Sequence, residues 1–176
     1  MINNFRIRQG NENDVAAIAQ LHALSWQHAY HAFLPGDFLN NLEIERRTYW
    51  SHKFKGLGNN DFILVIEENN LLIGFCCVLF EKDDYDAFID NLHVHPGNKR
   101  KGYGRSLLSA VAKDLLHLGK NNLFLWVLDF NYTAIQFYEK MGGVPADKSI
   151  AEIGGVQLPE TRYVWYHLDK LITNCS

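Results

Sequence analysis

The sequence predicts an α/β fold built on a mixed β-sheet, and three observations lead to that class. Short apolar runs bounded by turn residues alternate with longer segments whose apolar residues recur at helical spacing. The predicted order is one strand, two helices, three strands, a helix, a strand, a helix and two strands. A chain of 176 residues, 47% hydrophobic and 21% charged, suits one globular domain spanning residues 1–176.

The N-terminal half predicts a strand, two helices and a hairpin. Asn11 or Asn13 caps the first helix, with Asp14 in its first turn, and Asn69-Asn70 is typical of a tight hairpin turn. The predicted elements are a strand over Phe5–Gln9, a helix carrying Val15 to Trp26, a helix over Asp37–Lys53, and strands over Phe62–Glu67 and Leu71–Glu81.

The C-terminal half predicts alternating strands and helices that end in a hairpin. Pro96 stops the first of these strands, and glycines end both helices. The elements are a strand over Ala87–Val94, a helix over Gly104–Leu118, a strand over Leu123–Leu128, a helix over Tyr132–Met141, and a hairpin of Val144–Ile153 with Glu160–Leu168. The hairpin leaves a sheet edge free, which offers a surface for a homodimer.

Charge and composition exclude several classes of partner. The chain carries 17 Lys and Arg against 20 Asp and Glu, a net charge of −3, whereas a duplex-DNA binder presents a basic surface. No apolar stretch reaches the roughly 20 residues that span a bilayer, and the N-terminus lacks a basic run followed by an apolar one. We therefore expect a cytoplasmic protein that binds neither nucleic acid nor membranes.

The three cysteines and eight histidines predict neither a disulfide nor a metal site. Cys76 and Cys77 are adjacent on one predicted strand, so their side chains point to opposite faces, and Cys175 lies in the C-terminal tail. We expect reduced thiols. The closely spaced histidine pairs give no set of three or four converging ligands, so we expect no metal cofactor.

The most informative segment is a basic loop punctuated by glycines, between a predicted strand and a predicted helix. It reads Lys99-Arg100-Lys101-Gly102-Tyr103-Gly104-Arg105-Ser106. Glycine lets backbone N–H groups converge on one anion, and a helix N-terminus adds unpaired donors. The loop predicts a phosphate or pyrophosphate site; the alternative is an ordinary solvated turn. Leu107 stands where the dinucleotide fingerprint requires a third glycine, and no Walker Gly-Lys-Ser/Thr is present.

Two motifs resemble those of the GNAT superfamily of N-acetyltransferases. Lys99–Gly104 is similar to its Arg/Gln-x-x-Gly-x-Gly/Ala signature, with Lys99 in place of the usual Arg or Gln. Asn131–Gly142 is similar to its later Asn-x-x-Ala-x-x-Phe-Tyr-x-Lys-x-Gly motif. The resemblance implies the GNAT acyl-CoA N-acyltransferase fold, α/β or in some schemes α+β, in which helices flank a mixed, mostly antiparallel sheet.

The resemblance also implies acetyl transfer from acetyl-CoA to an amine. The pyrophosphate would lie on the glycine loop and the pantetheine arm along the Ala87–Val94 strand, where the Val94 N–H would stabilise developing negative charge on the thioester oxygen. The implied cofactor-binding residues are Leu92, His93, Val94, Lys99, Arg100, Lys101, Gly102, Tyr103, Gly104, Arg105, Ser106, Asn131, Ala134 and Tyr138.

Two residues are the catalytic candidates. Asp90 is the candidate base, directly or through water, because spacing on the strand puts Asp90, Leu92 and Val94 on one face; the alternative is a solvated carboxylate. Tyr138 matches the superfamily's general acid, since a phenol is protonated at pH 7; the alternative is a packed ring. Cys76 lies on a strand away from both motifs, as does its neighbour, so we expect direct transfer without a covalent enzyme intermediate.

The acceptor is predicted only as an unidentified small-molecule or peptide amine. Trp26, Tyr30 and Phe33 form an aromatic stripe that either lines the acceptor pocket or packs in the core. An acidic run, Glu81, Asp83, Asp84, Asp86 and Asp90, is either a solvated turn or a face that attracts a cationic amine. The competing hypothesis for the whole chain is an acyl-CoA-binding sensor or scaffold module without catalysis.

Overall fold

A computed structural model of the chain describes residues 5–82 and 84–174. The strands are β1 (Phe5–Gln9), β2 (Phe62–Glu68), β3 (Leu71–Lys82), β4 (Tyr85–Val94), β5 (Leu123–Leu128), β6 (Val144–Ile153) and β7 (Val156–Trp165). The helices are α1 (Val15–Tyr30), α2 (Gly36–Lys55), α3 (Tyr103–His117), α4 (Tyr132–Lys140) and α5 (Leu168–Asn174). Asp83 and Cys175, both named in the sequence analysis, lie outside the described residues.

The strands form one mixed sheet in the order β1-β2-β3-β4-β5-β7-β6. Each neighbouring pair is antiparallel except β4 and β5, which run parallel. The predicted fold class, a mixed and mostly antiparallel sheet with flanking helices, is confirmed. The terminal hairpin puts β6 at the edge of the sheet, where most of its residues are exposed.

The main error in the predicted elements is at the C-terminus. The last strand ends at Trp165, and Leu168, which we predicted to end that strand, instead begins α5. Elsewhere the bounds agree within a few residues. Asn11 caps a short 3₁₀ helix, Glu12–Asp14, that leads into α1, and the Asp14 carboxylate accepts from the Asn11 backbone N–H at 2.9 Å. The residue at the cap position of α1 itself is Asp14, which we predicted in the first turn. Asn69 adopts the positive φ of 52° that the hairpin turn requires.

Helices cover both faces of the sheet, and each face has its own apolar core. Helices α3, α4 and α5 pack on one side, called here the α3 face, and α1 and α2 pack on the other, the α1 face. Cys76 is buried in the core of the α3 face and Cys77 in that of the α1 face. Their predicted opposite orientation is confirmed. No helix within the described ranges combines the length and apolarity needed to cross a membrane.

The parallel strands β4 and β5 separate along most of their length. Within the described ranges they pair at a single point, Phe88 opposite Phe124. Towards the C-terminal end of β4 the two strands therefore leave an opening, called here the β4–β5 cleft. Backbone groups that face this cleft have no partner strand, an unusual situation in the middle of a sheet.

A β-bulge interrupts β4 beside this cleft. Cys77 of β3 lies opposite Asn91, whereas the next residue, Val78, lies opposite Ile89. Asp90 is therefore an extra residue that has no paired residue on β3. A bulge of this kind changes which face of the sheet the following side chains occupy.

The bulge makes one sequence-based expectation wrong. Leu92 and Val94 pack with the core of the α3 face, but Asp90 turns to the α1 face, where it contacts Tyr49 and Lys53 of α2. The three β4 residues do not share a face, because strict alternation fails at an inserted residue. The Asp90 side chain therefore points to the α1 face, whereas Leu92 and Val94 point to the α3 face.

Candidate active site

The backbone of β4 offers unpaired hydrogen-bonding groups to the cleft. The His95 N–H donates to the Ile73 carbonyl at 2.8 Å, so this pair is hydrogen-bonded across β3 and β4. Hydrogen-bonded and non-hydrogen-bonded pairs alternate along an antiparallel ladder. Val94, opposite Gly74, and Leu92, two residues earlier, therefore turn their N–H and C=O groups away from β3 and towards β5.

The glycine loop leads directly into the N-terminus of α3. Gly102 precedes the helix with φ 89°, and no side chain caps the first turn. The first intrahelical bond is donated by the Ser106 N–H to the Gly102 carbonyl at 2.9 Å. The N–H groups before Ser106 are consequently left as donors at the positive end of the helix dipole. This geometry suits an anion such as a pyrophosphate.

The loop side chains divide into two groups. The four basic residues are exposed and form no ion pair with any residue of the described ranges: Lys99, Arg100, Lys101 and Arg105. Tyr103 differs, since it is 2% exposed and its hydroxyl donates to Glu68 at 2.6 Å. A ligand on this loop would therefore meet the backbone of Tyr103 and not its ring.

The second motif caps α4 and connects it to α1 and α3. The Asn131 side chain accepts from the Ala134 N–H at 3.3 Å and donates to the Tyr30 hydroxyl at 2.9 Å. A Cβ added at Gly104 would lie 3.4 Å from Cζ of Phe137. The small residue in the first motif therefore allows α4 to approach α3, and the two motifs meet at one end of the cleft.

Tyr138 of α4 is buried beside the cleft. Its ring packs against Tyr163 and Trp165, and no described residue hydrogen-bonds its hydroxyl. Burial, with the neighbouring Tyr30 and Cys76, raises the pKa of Tyr138 above its ordinary value. The hydroxyl is thus protonated at neutral pH and lacks an internal acceptor.

Cys76 lies closer to this tyrosine than the sequence analysis expected. It belongs to the same buried core as Tyr138 and interacts with it electrostatically, so the expectation that it lies away from both motifs is wrong. Strand β3 reaches the second motif because Cys76 stands opposite Leu92 on β4. Burial raises the pKa of the Cys76 thiol well above its ordinary value, which leaves it a poor nucleophile.

Asp90 is held on the α1 face by three donors that share one oxygen. Its Oδ2 accepts from the Tyr49 hydroxyl at 2.9 Å and from the Asn91 amide at 2.7 Å, and pairs with the Lys53 ammonium at 3.0 Å. Burial and the Asp90 carboxylate raise the pKa of Tyr49 to about 12, so this hydroxyl stays a donor. Oδ1 of Asp90 has no partner among the described residues.

A histidine cluster that the sequence analysis did not predict lies on the same face of the sheet as Asp90. His93 of β4 hydrogen-bonds the Ser25 hydroxyl through Nδ1 at 3.0 Å and stacks on His22 at 4.6 Å between ring centres. His22 in turn accepts from the Trp50 indole at 3.1 Å. Burial lowers the pKa of His93 to about 3, so the imidazole is neutral. His93 faces α1, which distinguishes it from the cleft-facing neighbours we grouped with it.

The aromatic stripe is only partly helical. Trp26 and Tyr30 pack edge to face at 5.2 Å on α1. Phe33 follows the end of α1, is 47% exposed, and stacks on Phe130 at 4.0 Å. Since Phe130 also contacts Tyr30 at 5.8 Å, the three residues do form one aromatic group, completed by a residue that the sequence analysis missed.

The acidic run does not form a continuous face. Asp86 accepts from the Asn121 backbone N–H at 2.8 Å and pairs with Lys120 at 4.0 Å, so it anchors the loop before β5. The side chain of Glu81, and Asp83 as a whole, lie outside the described residues. Asp90, at the end of the run, is bound instead to Tyr49 and Lys53 of α2.

Helix α2 supplies the other side chains that sequence reasoning missed. Arg46, Tyr49 and Lys53 recur at helical spacing and face Asp90 and α1. That spacing around the aromatic pair Tyr49-Trp50 was a usable signal. Among residues 5–82 and 84–174, no three His, Cys, Asp or Glu side chains come together in a way that would hold a metal ion.

The sequence is similar to those of known acetyltransferases over most of its length. The model of the acetyltransferase (GNAT) family matches residues 16–143. The chain is 29% identical over 170 residues to the uncharacterized N-acetyltransferase YuaI of Bacillus subtilis, covering 95% of this chain and 96% of the relative. It is 26% identical over 140 residues to the L-methionine sulfoximine/L-methionine sulfone acetyltransferase of Salmonella typhimurium, covering 77% and 78%.

A solved structure shares the same fold. The PaiA N-acetyltransferase of Thermoplasma acidophilum, in complex with coenzyme A, superposes with a TM-score of 0.72 at 18% identity. The alignment covers 90% of this chain and 98% of that one. The likeness in fold therefore extends over most of the chain.

Proposed function

The chain belongs to the acetyltransferase (GNAT) family and is an N-acetyltransferase, and we propose that it transfers the acetyl group of acetyl-CoA directly to a primary amine of a small molecule. The observation that carries this proposal is the separation of β4 from β5, which leaves the backbone of Leu92 and Val94 unpaired beside the core that contains Tyr138. The methionine sulfone and sulfoximine acetyltransferase among its relatives supports a small acceptor.

The cleft and the glycine loop match the donor in charge and hydrogen-bonding pattern. The N–H groups at Gly102–Arg105, with the four exposed basic side chains, would bind the pyrophosphate. The backbone groups of Leu92 and Val94 would pair with the amides of the pantetheine arm, as a strand would. Acetyl-CoA supplies a thioester whose carbonyl carbon accepts the amine. The Val94 N–H would donate to the carbonyl oxygen as negative charge develops there.

We assign the role of base to Asp90, on the α1 face of β4, and the role of acid to Tyr138, in the core of the α3 face. An alkylammonium has a pKa near 10, so the acceptor must lose one proton before it attacks; we assign that proton to Oδ1 of Asp90, directly or through one water. The C–N bond then forms, the nitrogen releases its second proton to solvent, and the C–S bond breaks. Tyr138 donates its proton to the departing sulfur and regains one from solvent. Overall, an amine and a thioester are converted to an amide and a thiol.

The proposal is tested by binding and turnover measured separately. Coenzyme A affinity is measured by calorimetry, and acetyl-CoA is then incubated with amino acids, polyamines, aminoglycosides and short peptides. Free coenzyme A and acetylated product are quantified by liquid chromatography and mass spectrometry. We expect stoichiometric release of both from at least one acceptor. Tight binding with no product from any amine would instead support the acyl-CoA sensor or scaffold, and absence of binding would contradict both hypotheses.

A further inference from the structure

One cation on the acceptor side of β4 has no anionic partner. The Arg46 guanidinium of α2 lies with Cζ 4.8 Å from the ring centre of Trp26 and 5.7 Å from that of Tyr49. Its Nε is buried without a hydrogen bond, and no described residue forms an ion pair with it. Burial lowers the pKa of Arg46, yet an arginine stays charged in proteins. A buried charge without a partner is costly.

The anions nearest to Arg46 are not available to it. Asp90 is close enough to interact through space, but its Oδ2 is held by Lys53 and two other donors. Glu45 is exposed to solvent on the same helix and forms no ion pair with Arg46. The other neighbours, His22 and His93, are neutral because burial lowers their pKa values.

The position of Arg46 connects it with the acceptor and not with the donor. Trp26 belongs to the aromatic group proposed to line the acceptor pocket, and Asp90 is the proposed base. Arg46 thus shares the α1 face with Asp90, whereas helix α3, which follows the pyrophosphate loop, packs on the α3 face. An anion bound by Arg46 would therefore be part of the molecule whose amine approaches Asp90.

We propose that Arg46 binds a carboxylate of the acceptor, so that the preferred acceptors are amines that also carry a carboxylate, such as free amino acids. The guanidinium presents a planar set of donors that matches a carboxylate in a two-point contact. Trp26 and Tyr49 flank it with rings that exclude water and strengthen the contact. The free Oδ1 of Asp90 provides the complementary site for the ammonium group of the same zwitterion. This inference rests on the proposed function.

The test compares acids with their amides in two neighbouring arginine variants. Arg46→Gln removes the guanidinium, whereas the control Arg47→Gln removes an exposed side chain that forms only an i,i+4 pair with Glu43. The twenty common L-amino acids and their carboxamides serve as acceptors. We expect wild type and Arg47→Gln to prefer acids, and Arg46→Gln to raise KM for acids about 10- to 100-fold while leaving KM for amides unchanged. Arg46→Lys, which keeps the charge but not the planar fork, should lose part of the preference.

Outcomes that overturn the proposal are equally specific. Wild-type protein that acetylates acids and amides with the same kcat/KM, or an Arg46→Gln protein that loses both equally, contradicts a carboxylate contact. If no amine is acetylated at all, the proposed function fails, and the Arg46 contact is decided by calorimetry of amino acids against the coenzyme A complex. Acid binding that disappears in Arg46→Gln but not in Arg47→Gln supports the contact; an absence of acid binding in wild type contradicts it.

Discussion

The side-chain amide of Asn131 donates a hydrogen bond of 2.9 Å to the hydroxyl of Tyr30. This bond joins the first turn of α4 to the last turn of α1 beside the β4–β5 cleft. It links the family's second motif to the aromatic group of the acceptor side. The bond thus connects the two halves of the site through side chains 101 residues apart in sequence.

Removing this bond should lower stability. Tyr30→Phe leaves the Asn131 amide without an acceptor in a half-buried position, which should reduce the free energy of unfolding by about 1 kcal/mol. Urea denaturation measures the change. The matched control is Tyr132→Phe, because Tyr132 is 70% exposed. Equal stability of the two variants would mean that the Tyr30–Asn131 bond makes no net contribution.

Gly102 should matter for donor binding beyond its backbone conformation. Both Gly102 and Gly119 have positive φ, 89° and 71°, and open space where a Cβ would stand. Alanine at either position should cost about 1 kcal/mol of stability. Only Gly102→Ala should weaken coenzyme A binding, by tenfold or more in calorimetry, because only this Cβ would obstruct the N–H groups of α3. A similar loss of affinity in Gly119→Ala would attribute the effect to instability alone.

Tyr138 should affect turnover more than binding. Tyr138→Phe removes the proposed proton donor but keeps the packed ring, so kcat should fall about 100-fold while coenzyme A affinity stays within about twofold. Tyr163→Phe is the control, since the Tyr163 hydroxyl is occupied by Glu139 at 3.0 Å. Steady-state kinetics with calorimetry distinguishes the two. Unchanged kcat in Tyr138→Phe would remove it from the reaction.

Asp90 should determine how the rate responds to acid. A carboxylate base loses activity when it is protonated, so wild-type kcat/KM should fall towards low pH. Asp90→Asn should lower kcat about 100-fold and flatten that limb of the profile. Asp84→Asn, which changes an exposed carboxylate in the turn just before β4, should leave the pH profile of kcat/KM unchanged. An Asp90→Asn profile that keeps the wild-type shape would assign the proton transfer to another group.

The N-terminal ion pair should make stability depend on pH. Hydrogen bonds from Arg8, at 2.7 and 2.8 Å, hold the pKa of Asp14 below its ordinary value. A carboxylate whose pKa is lower in the folded state contributes its full share of the free energy of unfolding above its unfolded pKa near 4. This contribution is lost as the pH falls through the folded-state pKa. Asp14→Asn should therefore cost about 2 kcal/mol at pH 7, and the cost should shrink as the pH falls below the unfolded pKa near 4.

Thermal and urea unfolding from pH 2 to 7 measures that difference. Glu43→Gln is the control, since it breaks an exposed i,i+4 pair with Arg47 at 3.4 Å and should change stability by less than about 0.5 kcal/mol. A destabilisation of Asp14→Asn that is constant across this range would point to the helix cap and not to the ion pair.

Local sequence patterns predicted the bounds of a strand correctly where turn residues flank both of its ends. Leu123–Leu128 and Val144–Ile153 have the predicted bounds, because asparagine, aspartate and glycine flank them. The C-terminal helix α5 was missed for the opposite reason. Leu168 continues the apolar residues of β7 without a glycine or proline between them, and α5 depends on packing of Leu168 and Leu171 against α3.

The sequence predicted where the backbone of the candidate site lies, but it did not predict which way several of the side chains point. The two motifs located the cleft because glycine and a capping asparagine have local geometric requirements. The orientation of Asp90 depends on an extra residue in β4, which changes the face without any change in composition. Arg46 and Lys53 lie on a helix that is polar around most of its circumference, so the inward-facing side was determined by α1 and β4 and not by periodicity.

The bulge at Asp90 has a kinetic consequence for the proposed reaction. Under the proposed function the donor would lie in the β4–β5 cleft and the acceptor beside Asp90 on the α1 face, so neither would have to leave before the other arrives. Both substrates would then be present together, and initial-rate lines for varied acetyl-CoA at several acceptor concentrations would intersect and not run parallel. The side chains on the α1 face could then change and alter acceptor specificity without any change in the backbone groups that would bind the donor.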